Sequence, residues 1–310
     1  AELGVISSKI LSAYEDDKSS REDWEDTYSK GLELLGLRYD NRTEPFAGAT
    51  GVIHPLLNEA VTQFQAGAYK ELIPANGPVK TKIIGASSAE MDARADRVKD
   101  YMNYQIMYEM EEYEPEFDQM LYYLGCAGSA FKKVYQDTQL GRPISKFVPA
   151  EDLVVPYTAT DLKNAERVTH FIKMSSNEVR KLQVSGFYRD VDIVPMGAES
   201  PSEVTEAYNK IEGTQPSYAE TDGEVTLLEC HCYLDLETFP DTGPTGEPTG
   251  IKLPYIVTVC KDNSEILALR RNYMEQDVRK QKIDYFVHYK FSPGLGFYGF
   301  GLIHLLGNLS

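Results

Sequence analysis

The sequence predicts an α+β fold in which N-terminal helices are followed by antiparallel strands. Apolar residues in the first part of the chain recur at helical spacing, to about residue 130. Beyond that point, short runs of β-branched and aromatic residues alternate with turn residues, which is typical of strands. The sequence has no internal repeat of fixed period, which argues against a solenoid.

Four helices are predicted in the first region. One carries apolar residues at helical spacing from Trp24 to Leu35, behind acidic residues that suit the positive end of a helix dipole. Two more begin near Pro55 and Pro115, since proline suits the first turn. The small residues of 125–130, at the end of the last of these helices, predict close packing against a neighbour.

The remaining helix is predicted to begin near Ser87, which forms a capping box with Glu90. The preceding segment 78–85 is predicted as a short strand. The predicted apolar face of the helix consists of Met91, Ala95, Val98, Met102 and Ile106.

The second region is predicted to be rich in antiparallel strands. A helix capped by Ser176 interrupts them, and the Pro- and Gly-containing stretch 195–223 is predicted to be a mobile insertion. The predicted strands are 131–137, 144–149, 153–157, 166–174, 224–237, 253–260, 265–273 and 284–291, of which the first two form a hairpin. The predicted regions are therefore 1–130 (helical), 131–290 (β-rich) and 291–310 (a glycine-rich joint and the start of a helix).

Composition limits the classes of function. The chain has 48 acidic and 31 basic residues and a net charge of −17. This balance argues against a surface that grips nucleic acid or anionic lipid, although it allows DNA to pass without adhering. Four cysteines in 310 residues do not form a disulfide scaffold. We also expect no signal peptide and no membrane span.

The usual catalytic signatures are absent from the sequence, including the P-loop, the HExxH zinc motif and the nucleophile elbow. Cys230-His231-Cys232 contains soft metal ligands, but alternate residues of a strand face opposite sides and cannot share one ion. The acidic runs at 15–26, 109–118 and 189–241 are typical of solvated surfaces. We therefore predict no catalytic, cofactor-binding or metal-binding residues, and a structural protein rather than an enzyme.

One partial signal leaves an alternative open. Gly294, Gly296 and Gly299 match the spacing of a dinucleotide-binding turn between a strand and a helix. A lone match of this kind is weak, and Pro293 and two aromatic residues crowd the turn. A nucleotide-binding enzyme using the turn Gly294–Gly301 is thus the main rival to a structural protein.

Four phrases of the sequence resemble portal proteins, the head-to-tail connectors of short-tailed double-stranded DNA bacteriophages. They occur in the order found in that family and are spread along the chain. They are HPLLNEAVTQFQAGAYKELIPANGPVKT (54–81), YLGCAGSAFKKVY (123–135), GRPISKFVPAEDLVVPY (141–157) and HYKFSPGLGFYGFGLIHLLG (288–307).

The resemblance implies a dodecameric ring at one capsid vertex of the virion, assembled in the host cytoplasm. That ring is the channel for genome packaging and ejection, through which DNA passes without sequence specificity. Its implied partners are the major capsid protein, the large terminase subunit and tail adaptor proteins, with no membrane, cofactor or enzymatic activity. The region would be mostly the wing, and the stem, clip and tunnel loop would lie beyond residue 310.

The resemblance also implies a structural role for the last glycines. Gly294, Gly296, Gly299 and Gly301 would form a joint between the wing and the first stem helix, where freedom at positive φ is useful. On this basis Gly296→Val and Gly299→Val are both predicted to impair ring assembly. Another capsid or tail adaptor protein remains a further alternative.

Overall fold

The computed structural model of the chain describes residues 2–35, 46, 48, 55–193, 202–214, 223–242 and 246–306. Within these residues the fold is α+β, with N-terminal helices followed by antiparallel strands, as predicted. The helices are α1 (Glu2–Ser19), α2 (Glu22–Glu33), α3 (Leu56–Leu72), α4 (Ala89–Tyr104), α5 (Tyr113–Ala127), α6 (Ser176–Val184), α7 (Glu203–Glu212) and α8 (Leu302–Leu306), with a π-turn (Gln105–Glu109) and a 3₁₀ turn (Ala150–Asp152). The strands are β1 (Ser129–Asp137), β2 (Arg142–Pro149), β3 (Leu153–Val154), β4 (Arg167–Ser175), β5 (Glu224–Leu234), β6 (Leu253–Cys260), β7 (Ile266–Arg271) and β8 (Phe286–Lys290).

The chain forms two compact units, and each combines stretches that are distant in sequence. The first unit comprises Ala1–Lys30 and Ala150–Asp284, and the second comprises Gly31–Pro149 and Tyr285–Ser310. These units differ from the predicted regions 1–130, 131–290 and 291–310. The prediction followed changes in composition along the chain. Each unit is instead defined by contacts between two stretches that are distant in sequence.

In the first unit, a five-stranded antiparallel sheet has the order β3-β4-β5-β6-β7. Helix α1 covers one face, where Ile6 and Ile10 share a core cluster with Cys230 of β5. Helix α6 packs on β4 and β5, where its Val179 shares a second core cluster with Val225 and Leu227 of β5. Because successive strand residues point to opposite faces, α1 and α6 lie on opposite sides of the sheet.

The stretch predicted to be a mobile insertion, 195–223, contains helix α7. Its N-cap is Ser202, whose hydroxyl accepts a hydrogen bond from the Thr205 amide at 3.2 Å. Val204 and Ala207 are buried, three residues apart on one helical face. The described part, 202–214, is therefore a packed helix, contrary to prediction, because a few well-placed apolar residues suffice. Residues 195–201 and 215–222 of the stretch lie outside the described residues.

In the second unit, a three-stranded antiparallel sheet has the order β2-β1-β8. The predicted hairpin is confirmed, since β1 pairs with β2 from Ala130 opposite Pro149 to Asp137 opposite Arg142. Helix α5 packs against α3 and against both hairpin strands. The small residues at the end of α5 do pack closely, since a Cβ on Gly125 would lie 2.8 Å from the Phe64 ring.

Four local predictions differ from the structure. Residues 78–85 form no strand, and the Asn103 side chain accepts a hydrogen bond from the Val79 amide and donates one to the Val79 carbonyl. The cap of α4 is Ser88 rather than Ser87, and that of α6 is Ser175 rather than Ser176. In addition, the predicted apolar face of α4 is not buried, and its last member, Ile106, belongs to the π-turn.

Candidate functional site

The predicted joint glycines lie on one closed loop that follows β8. The loop is fixed where the Phe291 amide donates to the Gly128 carbonyl at 3.0 Å. It closes on itself where the Phe300 amide donates to the Ser292 carbonyl, also at 3.0 Å. The structure therefore anchors this segment on the α5–β1 junction before α8 begins.

Two of the glycines are required by close approach of two backbones. A Cβ on Gly301 would lie 2.2 Å from the Cys126 carbonyl oxygen, and one on Gly299 would lie 2.5 Å from the Gly128 carbonyl oxygen. Both distances are far below van der Waals contact, and the opposing atoms belong to backbone that cannot rotate away. Gly128 also has the left-handed conformation, with φ of +88°, that ends α5.

The other two glycines differ from each other. A Cβ on Gly294 would lie 2.0 Å from the Tyr298 carbonyl oxygen, whereas a Cβ on Gly296 would meet nothing within 4 Å. None of the four predicted joint glycines has a positive φ. The expectation that they serve through freedom at positive φ is therefore wrong, since three of them instead make room for backbone.

Ser129 links β1 to the glycine loop. The Gly299 amide donates to the Ser129 hydroxyl oxygen at 2.7 Å, and the His288 Nε2 lies 3.1 Å from the same oxygen. Burial, followed by the charge of Lys290, lowers the pKa of His288 to about 4. His288 is therefore neutral near pH 7, and its Nε2 can accept the proton of the Ser129 hydroxyl while that oxygen accepts from Gly299.

Aromatic rings complete this contact. The imidazole of His288 stacks on Phe131 with centroids 4.3 Å apart, and Phe297 of the glycine loop lies 4.8 Å from His288. Sequence reasoning identified the glycines but missed Gly128, Ser129 and His288. The small-residue segment 125–130 was the available signal, because small side chains are what permit such an approach.

The same geometry bears on the dinucleotide alternative. In a dinucleotide-binding unit the first strand belongs to a parallel sheet and the glycines leave room for a pyrophosphate. Here β8 pairs antiparallel with β1, and the space beside Gly299 and Gly301 is filled by backbone from Cys126 to Gly128. This arrangement favours the structural interpretation of the turn.

Lys132 lies on the other face of β1, toward α5. Its side chain is only 2 % exposed, and its Nζ has no hydrogen-bond acceptor among the described residues. The ammonium group lies 4.3 Å from the ring centroid of Tyr113 and 5.2 Å from that of Phe117. Burial lowers the pKa of Lys132 to about 8, and burial also raises the pKa of nearby Glu116.

We expect Lys132→Met to raise the free energy of unfolding at pH 7 by about 2 kcal/mol, because it removes a buried charge but keeps the packing volume. The folded protein binds Lys132's proton less tightly than the unfolded chain does. Stability of the wild type therefore rises between about pH 8 and the ordinary lysine pKa near 10.5. The advantage of the variant should shrink over that window in urea titrations. Lys146→Met, at an exposed lysine of β2, should show neither effect.

A second titratable group, partly buried, lies in the first unit. Burial, together with the charge of Glu151, raises the pKa of Asp152 to about 7. Beside it, the Arg21 guanidinium donates to the carbonyl oxygens of Ala150 and Leu153, each at 2.9 Å. Arg21 thereby fixes the 3₁₀ turn that leads into β3.

The remaining sequence signals lie at packed, hydrogen-bonded or ion-paired positions. Cys230 packs in the α1 cluster, whereas His231 points to the other face and lies 2.8 Å from a Glu229 carboxylate oxygen. In the acidic run 109–118, Glu112 pairs with Arg142, and Glu116 accepts a hydrogen bond from the Phe147 amide. Within the described ranges, no three His, Cys, Asp or Glu side chains converge as ligands for a metal ion.

Comparison with protein-family models finds no matching family, and comparison with curated proteins finds no matching relative. Among the described residues, no helix combines the length and the apolar character needed to cross a membrane. The glycine loop and the four phrases of the sequence are therefore the features from which a function can be proposed.

Proposed function

We propose that the chain is the wing region of a viral portal protein, a ring-forming channel at one capsid vertex. In this proposal, DNA enters during packaging and leaves during ejection through the ring, which has no enzymatic activity of its own. The glycine loop connects the wing to the first stem helix. The proposed partners are further copies of the chain, the capsid protein, the terminase and the tail adaptors.

The observation that carries the proposal is that the segments resembling portal proteins are neighbours in space. The phrase 54–81 contains α3, and the phrase 123–135 contains the end of α5 and most of β1. The phrase 141–157 supplies β2 and continues into the 3₁₀ turn and β3 of the first unit, and the phrase 288–307 covers the end of β8 and α8. Apart from that continuation, these elements pack on one another in the second unit. Chance likenesses scattered along a chain have no reason to assemble into one packed unit.

Charge supports the same proposal. A ring of subunits that each carry −17 would surround a duplex with like charge, which disfavours tight phosphate contacts and lets DNA slide. Acidity also keeps an exposed wing soluble, and salt screens exposed charges strongly. Charge is thus a secondary argument, compatible with the channel but not specific to it.

The test is the subunit count of the complete protein by native mass spectrometry. We expect a closed assembly near the dodecamer that the resemblance implies. A monomer or dimer of the complete protein, under conditions that keep it folded, would contradict the proposal. The rival nucleotide-binding enzyme is tested in parallel with NAD and ATP, since a ligand at about a hundredfold excess over Kd raises stability by about 2.7 kcal/mol. A clear rise in melting temperature would favour the rival.

A further inference from the structure

Helix α4 has an apolar face that the described part of the chain does not bury. None of its residues is buried, and its large apolar side chains each remain more than 40 % exposed: Met91 by 47 %, Val98 by 45 % and Met102 by 42 %. Helices of this length are marginal in water and owe most of their stability to packing of an apolar face. The helix thus presents a surface whose stabilising contacts lie outside the described chain.

The exposed face also has the composition of an interface core. Tyr101, Tyr104 and Tyr108 are each more than half exposed, and they lie beside the two methionines and two arginines of α4. Tyrosine, methionine and arginine are the residues enriched where protein interfaces are fully buried. A solvated helix has no reason to collect them on one side.

The two edges of this face carry opposite charges. Arg94 and Arg97 lie on one edge together with Tyr101, since residues three, four and seven apart share a helical face. Asp96 and Asp100 lie on the other edge, where Lys99 approaches them at 3.0 and 3.6 Å. By contrast, neither Arg94 nor Arg97 has an ion-pair partner among the described residues. The arginine edge of α4 is therefore suited to bind an acidic surface.

This chain itself offers such a surface. The run 109–118 contains six carboxylates and no basic residue. Four of the six are engaged inside the unit: Glu112 and Glu116 as described above, Glu114 by the Tyr69 hydroxyl, and Asp118 by the Gln65 side-chain amide at 2.9 Å. Glu109 and Glu111 have no ion-pair partner in the described part of the chain, and Glu111 is exposed beside Tyr108.

We propose that the arginine edge of α4, Arg94 and Arg97, docks on the acidic segment 109–118 of a second copy of this chain. The contact joins two different surfaces, so it is heterologous, and repetition of a heterologous contact gives a ring when the rotation closes. Closure into a ring rests on the proposed function, whereas pairing of the two surfaces does not. Met91, Val98 and Met102 become buried along the same contact.

A charge-reversal series in the complete protein tests this pairing. Arg94→Glu with Arg97→Glu, and separately Glu109→Arg with Glu111→Arg, should each weaken self-association by about tenfold or more, as expected for charges that face each other across an interface. Combining all four changes should restore association, because the pairs are then opposite again. Arg279→Glu, at an exposed arginine of the other unit, is the matched control and should change nothing. Circular dichroism checks that α4 stays helical.

Native mass spectrometry and sedimentation separate the outcomes. Full rings from both reversed variants would overturn the pairing while leaving the proposed portal function intact. Weakening by the arginine changes without rescue would overturn segment 109–118 as the partner. Open dimers that depend on Arg94 and Arg97 would support the pairing and contradict the ring. A wild-type protein that stays monomeric at high concentration would overturn both.

Discussion

Gly301→Ala should lower the free energy of unfolding by about 3 kcal/mol, since a methyl group there has no space. The new Cβ would lie 2.2 Å from the Cys126 carbonyl oxygen and 2.5 Å from the Gly128 amide nitrogen. Relief requires the glycine loop to separate from the α5–β1 junction, which breaks the bond between the Phe291 amide and the Gly128 carbonyl. Urea denaturation of the wild type and the variant measures the loss.

Gly296→Ala is the matched control for this prediction. It lies on the same loop, but its added Cβ meets nothing within 4 Å and its φ is not positive. Replacing glycine at a compatible position reduces the entropy of the unfolded chain, so stability should stay equal or rise by about 0.5 kcal/mol. Equal losses at Gly301 and Gly296 would mean that the loop does not approach the α5–β1 junction as the structure describes.

The same contrast revises the expected effect on assembly. Sequence alone predicted that Gly296→Val and Gly299→Val would both impair ring formation. Of these two positions, only Gly299 lacks room for a side chain, because its Cβ would lie 2.5 Å from the Gly128 carbonyl oxygen. We therefore expect Gly299→Val to impair assembly through the fold of the loop, whereas Gly296→Val leaves the loop intact.

The glycine loop illustrates which parts of the site the sequence could predict. The spacing of its glycines marks the segment as special, and the resemblance gives it a role. The physical reason for glycine in this loop is its contact with the α5–β1 junction, which joins residues about 170 positions apart, such as Ser129 and Gly299. A single sequence carries no signal for such a partner, and so positive φ was the available but wrong explanation.

In the same way, some elements of the fold follow from residues close in sequence, and others depend on residues far apart. The α5 helix and the β1–β2 hairpin follow from periodicity and turn residues within a few positions, and both were predictable. The two units were not, because each joins stretches separated by more than a hundred residues. Helix α4 is the reverse case, since its apolar spacing predicted a buried face that the described chain does not cover.

The acidic run 15–26 contains a residue that makes another long-range contact. Composition predicts a solvated surface there, yet Asp17 is only 4 % exposed. Its carboxylate accepts two hydrogen bonds from the Arg167 guanidinium, at 2.6 and 2.7 Å. This bidentate pair raises the pKa of Arg167 and ties the end of α1 to β4, on the sheet face that α1 covers.

Asp17→Asn should lower the free energy of unfolding by about 3 kcal/mol, because it leaves a half-buried guanidinium facing an amide that can accept only part of its bonds. The partial exposure of Arg167 keeps the loss near the low end for broken buried pairs. Asp16→Asn, at the exposed neighbouring position, is the matched control and should change stability by less than about 0.5 kcal/mol.

A double-mutant cycle separates the ion pair from its surroundings. Once Arg167 is replaced by Met, the Asp17 carboxylate has lost its partner, so Asp17→Asn should then cost little or become favourable. Urea denaturation of the four proteins measures the coupling, which we expect to be about 2 kcal/mol. If the two single losses simply add, the pair contributes nothing beyond its separate residues. Helix α1 would then be held on the sheet by its other contacts, among them the packing of Ile6, Ile10 and Tyr14.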